Sequence, residues 1–251
     1  MEETMVKIPQ NELAGSFLTE DVLDVLNNFT KIHPSFRVVS SDYFTTVKGD
    51  KTFAAYYNMS TKSFKLPRMC FYNLKEFLDM LKFYDLKETQ ITFKENCVEL
   101  NDDVQYYRYV FASEKTIAPP PTLEKFKELA EGMEIGFTLT KEQLAKIIKA
   151  GASSMKCETV TFRYDEKLQK IVVELKNNDV KANNLYTLKL NSDVTFMSEA
   201  STYEITVAFS SLNLLIASDY KVEFQSKVKS RFSTKEDLLQ YIVAAAIDDG
   251  E

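Results

Sequence analysis

The chain has 251 residues, of which 45% are hydrophobic and 27% charged, and its formal net charge is −6. This length favours two domains of about 100–130 residues over one, and the composition excludes a disordered chain. No run approaches the ~18 apolar residues of a membrane helix, and the start MEETMVKIPQ lacks the pattern of a signal peptide. We therefore expect a soluble, cytoplasmic protein.

Most of the sequence is predicted as short β-strands, because its segments alternate or are rich in β-branched and aromatic residues. The predicted strands cover 36–40, 44–48, 53–57, 90–93, 104–112, 158–164, 170–175, 185–190, 203–209, 220–224 and 238–246.

Four predicted helices interrupt these strands. The first covers 20–31 with Thr19 as its N-cap, and the second covers 74–83 with Asn73 before it. The third follows Thr140, which forms a capping box with Gln143. A shorter fourth helix covers 211–217.

The β-pattern stops in the segment SEKTIAPPPTLEKFKELAEG at 113–132. Three consecutive prolines cannot donate hydrogen bonds to a sheet and favour an extended chain. The segment therefore predicts two domains, 1–114 and 133–251, joined by a connector at 115–132.

An internal duplication indicates how each domain is built. LTEDVLDVLNNF at 18–29 aligns with LTKEQLAKIIKA at 139–150, and both domains then repeat a strand, a helix and a strand. Each domain is thus predicted as two copies of one module, in which a strand and a helix are followed by further strands.

In order and spacing, the chain resembles the sliding clamps of T-even-type bacteriophages. The segments that carry the resemblance are LNNFTKI at 26–32, YNLKEFLDML at 72–81, LTKEQLAKIIKAGASS at 139–154, VTFRYDEKLQKIVVEL at 160–175 and LYTLKLNSD at 185–193. The chain departs from these clamps in a longer N-terminus and a longer connector.

The resemblance implies an α+β fold and a closed homotrimer of six domains, with sheets outside and twelve helices lining a hole. It implies a non-enzymatic processivity factor without cofactor or metal, located in the host cell cytoplasm if the source is viral. The implied partners are encircled duplex DNA, the replicative DNA polymerase and an ATP-dependent clamp loader, with transcription proteins as a further class. A clamp of the cellular trimeric kind has a similar two-domain design.

Lysines on the polar sides of the helices are the candidate DNA contacts. They are Lys141, Lys146 and Lys149 on the third helix, Lys75 and Lys82 on the second, and Lys31 on the first. An acidic protein can still present one positive face, so the net charge does not exclude phosphate contacts. The alternative is that these are ordinary solvated helix faces.

Two further sets of residues are predicted to bind proteins. The candidate subunit interface joins the strand of Tyr107 and Tyr109 to a neighbouring copy's strand of Leu185, Tyr186 and Leu188; alternatively, both strands are internal. The candidate pocket for a partner's peptide contains Ile117, Pro119, Leu123, Phe126, Ala246 and Ile247. For these residues the alternative is packing of the connector on its own domain.

An enzyme and a scaffold that binds only proteins are the competing classes. The sequence contains no phosphate-binding glycine loop and no nucleophile motif, and its single histidine, His33, lies beside Pro34. Cys70, Cys97 and Cys157 lack the spacing of a zinc site. A protein-only scaffold would have no reason to form a trimer with a hole.

Overall fold

The computed structural model describes residues 18–59, 66, 68–153, 157–176 and 185–246. The α-helices in these ranges are α1 Glu20–Ile32, α2 Leu74–Leu81, α3 Leu123–Leu129, α4 Lys141–Gly151 and α5 Phe209–Leu212. The first strands are β1 Phe36–Val38, β2 Tyr43–Val47, β3 Phe53–Asn58, β4 Met69–Phe71, β5 Gln90–Phe93, β6 Cys97–Asn101 and β7 Tyr106–Val110. The later strands are β8 Ile135–Leu139, β9 Thr159–Asp165, β10 Lys170–Lys176, β11 Tyr186–Lys189, β12 Val194–Phe196, β13 Glu204–Ala208, β14 Tyr220–Gln225, β15 Lys229–Ser233 and β16 Leu239–Ala244.

The predicted fold class is confirmed: sheets dominate and few helices interrupt them. Each predicted strand is present, with its ends displaced by two residues or fewer. The sequence did not predict β6, β8, β12 and β15, of which β12 is very short and the others contain polar residues or glycine. Two helix predictions are corrected: α5 is shorter than predicted and begins earlier, and the connector contains a helix, α3, that was not predicted.

The chain forms two compact units. The first contains the described residues up to Thr46 and Tyr57–Pro121, and the second contains Val47–Tyr56 and the described residues from Thr122 onward. The division after Pro121 falls inside the predicted connector, while the domain bounds themselves stay a prediction.

In the second unit, two duplicated modules exchange strands. One sheet has the order β11-β10-β9-β13. The other has the order β12-β8-β14-β15-β16-β3-β2. Of its last two strands, β3 and β2, only the residues within Val47–Tyr56 belong to this unit. Strand β8 precedes α4 but pairs with β14, and β13 precedes α5 but pairs with β9. Each module therefore completes the sheet of the other, as the predicted duplication implies.

The first unit shows one such exchange, because β4 precedes α2 but pairs with β1, and its core is rich in aromatic residues. Its sheets are β1-β4 and β5-β6-β7. Helix α1 packs against α2, and the apolar stripes of both helices are buried. Phe77 is fully buried, with its ring 5.0 Å from that of Phe71 and 5.7 Å from that of Tyr109. Each helix therefore turns its polar side away from this core.

In the second unit, helices α4 and α5 are in close contact. A Cβ atom added to Gly151, the last residue of α4, would lie 2.2 Å from Cε2 of Phe209 at the start of α5. A real Cβ atom cannot approach so closely, so only glycine lets the Phe209 ring lie against the end of α4. This contact helps to fix the direction in which α4 presents its exposed side.

Candidate functional site

Helix α4 is held at its N-terminus by the predicted capping box. Thr140 Oγ1 accepts from the backbone N–H of Gln143 at 3.2 Å, and Gln143 Oε1 accepts from the backbone N–H of Thr140 at 2.8 Å. Asp219 Oδ1 accepts a further bond, from the N–H of Lys141 at 2.7 Å. Leu144 and Ile147 are buried on the inner side. The cap and this apolar stripe together fix which side of α4 faces solvent.

The solvent side of α4 carries the three predicted lysines. Lys141, Lys146 and Lys149 are all exposed and occupy an arc of about 140° around the helix, opposite Leu144 and Ile147. Glu142 lies in the same arc. Among the described residues, no carboxylate lies within ion-pair distance of any of the three lysines. Their charges are therefore available to a ligand from solution.

The predicted lysines of α2 are arranged differently. Lys75 and Lys82 are both exposed, and both bind the carboxylate of Asp79: Lys82 Nζ lies 2.6 Å from Oδ1, and Lys75 contacts Oδ2. Hydrogen bonds from Lys75 and then Lys82 hold the pKa of Asp79 below its ordinary value, so the carboxylate is ionised at neutral pH. The cluster of three groups carries a net charge of +1 instead of +2.

Helix α1 contributes one lysine to the predicted DNA contacts. Lys31 is exposed in the last turn, where a cation interacts favourably with the helix dipole. Asn28 is buried. Asn27 is half-buried and uses its side-chain amide to bond the carbonyl of Leu23 at 2.8 Å. Lys31 is thus the exposed cation that α1 offers.

Strands β7 and β11 are edge strands of their sheets within the described part of the chain. The backbone bonds of Asp102 to Gln105 and of Phe111 to Asn96 set the alternation along β7. Tyr107 and Tyr109 therefore bond to β6, whereas Tyr106, Arg108 and Val110 direct their N–H groups outward. The bond from Leu190 N to Ile171 O likewise directs Thr187 and Lys189 outward from β11.

The predicted interface residues of these strands fall into different environments. Tyr109 is a core residue of the first unit, 6% exposed, and its hydroxyl bonds to the backbone of Asn73. Tyr107, Tyr186 and Leu188 lie on the core-facing sides of the two edges but are only half-buried. Leu185 is 53% exposed. The two open edges therefore end in apolar side chains that their own units cover incompletely.

The outer face of β7 was not predicted as a contact surface. Tyr106 and Val110 are 59% and 61% exposed, and Arg108 lies between them. The alternation of the strand could have indicated this face, because residues of one parity face the core and those of the other face solvent.

The predicted peptide pocket is partly closed. Ile117 is buried within the first unit, and Phe126 is buried within the second, where its ring stacks on Tyr56 at 5.3 Å. For both residues, packing of the connector on its own unit is the arrangement found. Pro119 is exposed, whereas Leu123 and Ala246 are half-buried, and Ile247 lies outside the described residues.

The single histidine of the chain, His33, has a structural role in a turn. His33 Nδ1 accepts from the backbone N–H of Ser35 at 3.2 Å, which makes it part of the turn after α1. Within the described ranges, no group of three or more His, Cys, Asp or Glu side chains could hold a metal ion. In the same ranges, no helix combines the length and the apolar character needed to cross a membrane.

Comparisons with known proteins identify the fold but not a sequence family. No family model and no curated protein sequence matches the chain. The structure is similar to Proliferating Cellular Nuclear Antigen from Entamoeba histolytica, with a TM-score of 0.65, 10% sequence identity, and coverage of 93% of this chain and 96% of that chain. It is also similar to A. fulgidus PCNA bound to the C-terminal region of FEN-1, with a TM-score of 0.60, 12% identity, and coverage of 96% and 98%.

A bacterial clamp protein gives a similar result. The match to the beta chain of DNA polymerase III from Streptococcus pneumoniae has a TM-score of 0.65 and 10% identity, and it covers 98% of this chain and 67% of that chain. All three similarities extend over nearly the whole of this chain at very low sequence identity. The chain therefore has the fold of the sliding clamps.

Proposed function

We propose that this protein is a DNA sliding clamp, a non-enzymatic ring that encircles duplex DNA and keeps a polymerase on it. The observation that carries the proposal is the similarity of almost the whole chain to PCNA and to the DNA polymerase III beta chain. The exposed lysines of α4 and the open edges of β7 and β11 agree with this function.

The ring is proposed to contain three copies of the chain. Strand β7 of one copy would continue the sheet that ends in β11 of the next, through the outward N–H groups of the two edges. The same pairing would cover Tyr107 on one side and Tyr186 and Leu188 on the other, so that two incomplete apolar faces become one. Such head-to-tail contacts close on themselves in a trimer.

The lysines would hold the duplex without reading its sequence. Lysine side chains contact phosphate oxygens as point charges, and these contacts carry no information about bases. Because a threaded ring leaves DNA only by opening or by running off an end, a few screened contacts are enough. Lys141, Lys146 and Lys149 are the main proposed contacts, with Lys31, Lys75 and Lys82 as secondary ones.

The remaining proposed partners are proteins. A polymerase would dock a short peptide on the second unit, where Leu123 and Ala246 are half-buried and still partly accessible. We further propose loading by an ATP-dependent clamp loader, contacts with transcription proteins and a specific relationship to clamps of T-even-type phages. These proposals rest on the sequence segments quoted above.

The oligomeric state tests the ring directly. Light scattering coupled to size exclusion is expected to give about three times the chain mass of 28.9 kDa. Arg108→Pro is expected to give a folded monomer, because it removes one outward N–H group of β7 and leaves the bonds between β6 and β7 in place.

Arg108→Ala is the matched control, since it also removes the weak ion pair with Glu99 but keeps the backbone N–H group. This variant should remain a trimer. A wild-type protein that is monomeric at every concentration would overturn the ring, and an Arg108→Pro variant that stays trimeric would overturn the proposed edge. A trimer that is not retained on circular duplex DNA would favour a protein-only scaffold.

A further inference from the structure

Asp79 occupies a special position on the exposed side of α2. Its two carboxylate oxygens bind different lysines, Lys75 one turn before it and Lys82 just beyond the end of the helix. The two lysine side chains are largely exposed and Asp79 is partly exposed, so this cluster is open to solvent. The arrangement places one carboxylate between two of the cations predicted to contact DNA.

Stabilisation of the helix explains this carboxylate poorly. Asp79 lies near the C-terminal end of α2, where a negative charge opposes the helix dipole. A lysine that precedes its acidic partner by four residues is also the weaker orientation of such a pair. The contribution of Asp79 to α2 itself is therefore small, and its effect falls mainly on Lys75 and Lys82.

We propose that the carboxylate of Asp79 lowers the affinity of α2 for duplex DNA, so that the ring can slide. The inference rests on the proposed function as a clamp. A phosphate group that approaches Lys75 or Lys82 must displace a carboxylate that is already in place. Binding of a phosphate at α2 is therefore less favourable than binding at a lysine of α4, and the duplex passes this helix with little resistance.

Asp79→Asn tests the proposal, because asparagine keeps the shape of the side chain and removes its charge. Binding is measured by fluorescence anisotropy with a labelled 30-base-pair duplex over a series of salt concentrations. The variant is expected to bind about three- to tenfold more tightly at low salt. The slope of log K against log[salt] should steepen by about 0.9 for each additional phosphate that the variant neutralises.

Two controls separate this effect from others. Asp103→Asn removes the same charge from an exposed turn of the same unit and should leave affinity and slope nearly unchanged. Lys75→Gln and Lys82→Gln, added to Asp79→Asn, should abolish the increase in affinity. Thermal melting followed by circular dichroism establishes that each variant is folded.

The outcomes distinguish failure of the proposed role of Asp79 from failure of the proposed function as a clamp. If the wild-type protein is a trimer that binds the duplex and Asp79→Asn does not bind more tightly, the proposed role of Asp79 is overturned and the proposed function as a clamp is not. An equal increase in Asp103→Asn also overturns the role of Asp79, because net charge alone then explains the effect. If the wild-type trimer neither binds the duplex nor is retained on circular DNA, both proposals fail.

Discussion

Helices α2 and α4 both pack an apolar stripe into the core of their own unit, but they present different charge to solvent. On α4, three lysines stand without carboxylate partners among the described residues, whereas on α2 both lysines share Asp79. The two helices use the same kind of buried apolar stripe. Packing therefore constrains the inner side of each helix, whereas the charge of the outer side is free to differ.

The largest expected effect comes from removing the positive side of α4. Lys141→Ala, Lys146→Ala and Lys149→Ala together should reduce duplex affinity on the order of 10–100-fold at about 50 mM salt, because each lost phosphate contact removes about 0.9 from the salt slope. Retention on circular DNA in a processivity assay should fall in parallel. The melting temperature should change little, since all three side chains are exposed.

A control with equal charge removes Lys115, Lys127 and Lys167, which are exposed at other places on the chain. This control is expected to retain most of the affinity. If both triple variants lose affinity equally, the difference between the helices has no role in DNA binding.

A smaller effect is expected from disturbing the packing that orients α4. Gly151→Ala places a Cβ atom against the Phe209 ring, which must move. Overpacking of this kind costs about 1–3 kcal/mol, which outweighs the stabilisation of up to about 1 kcal/mol from replacing glycine by alanine in a helix. Urea unfolding should show the loss of stability.

The double variant Gly151→Ala with Phe209→Leu supplies the control for this contact. The smaller side chain should relieve the clash and recover part of the lost stability. A Gly151→Ala variant as stable as the wild type would show that the contact between α4 and α5 does not restrict α4.

The smallest effect is expected on α2. Lys75→Gln with Lys82→Gln should lower duplex affinity by only about two- to threefold, because Asp79 already offsets these cations and exposed ion pairs contribute little. The same anisotropy titration measures it. A loss as large as that of the α4 variant would remove the distinction between the two helices.

Much of the fold and part of the site could be predicted from the sequence, because both depend on local order. Alternating apolar residues predicted the longer strands, and the Thr140 and Gln143 capping box predicted where α4 begins. The apolar stripe of α4 also assigned Lys141, Lys146 and Lys149 to its solvent side. These features are set by residues two positions apart in a strand and three or four positions apart in a helix, which share one face of the element.

Only the tertiary structure decided the features that depend on residues far apart in the chain. It buried Tyr109 among aromatic side chains of the first unit and Phe126 against Tyr56, although both occur in segments predicted to bind partners. It also brought the Phe209 ring against Gly151. Burial depends on which elements meet, and in this protein modules exchange strands over long separations. The sequence alone therefore determined the longer elements and the exposed charges of the helices, while the pairing of modules determined which apolar residues were left at open edges.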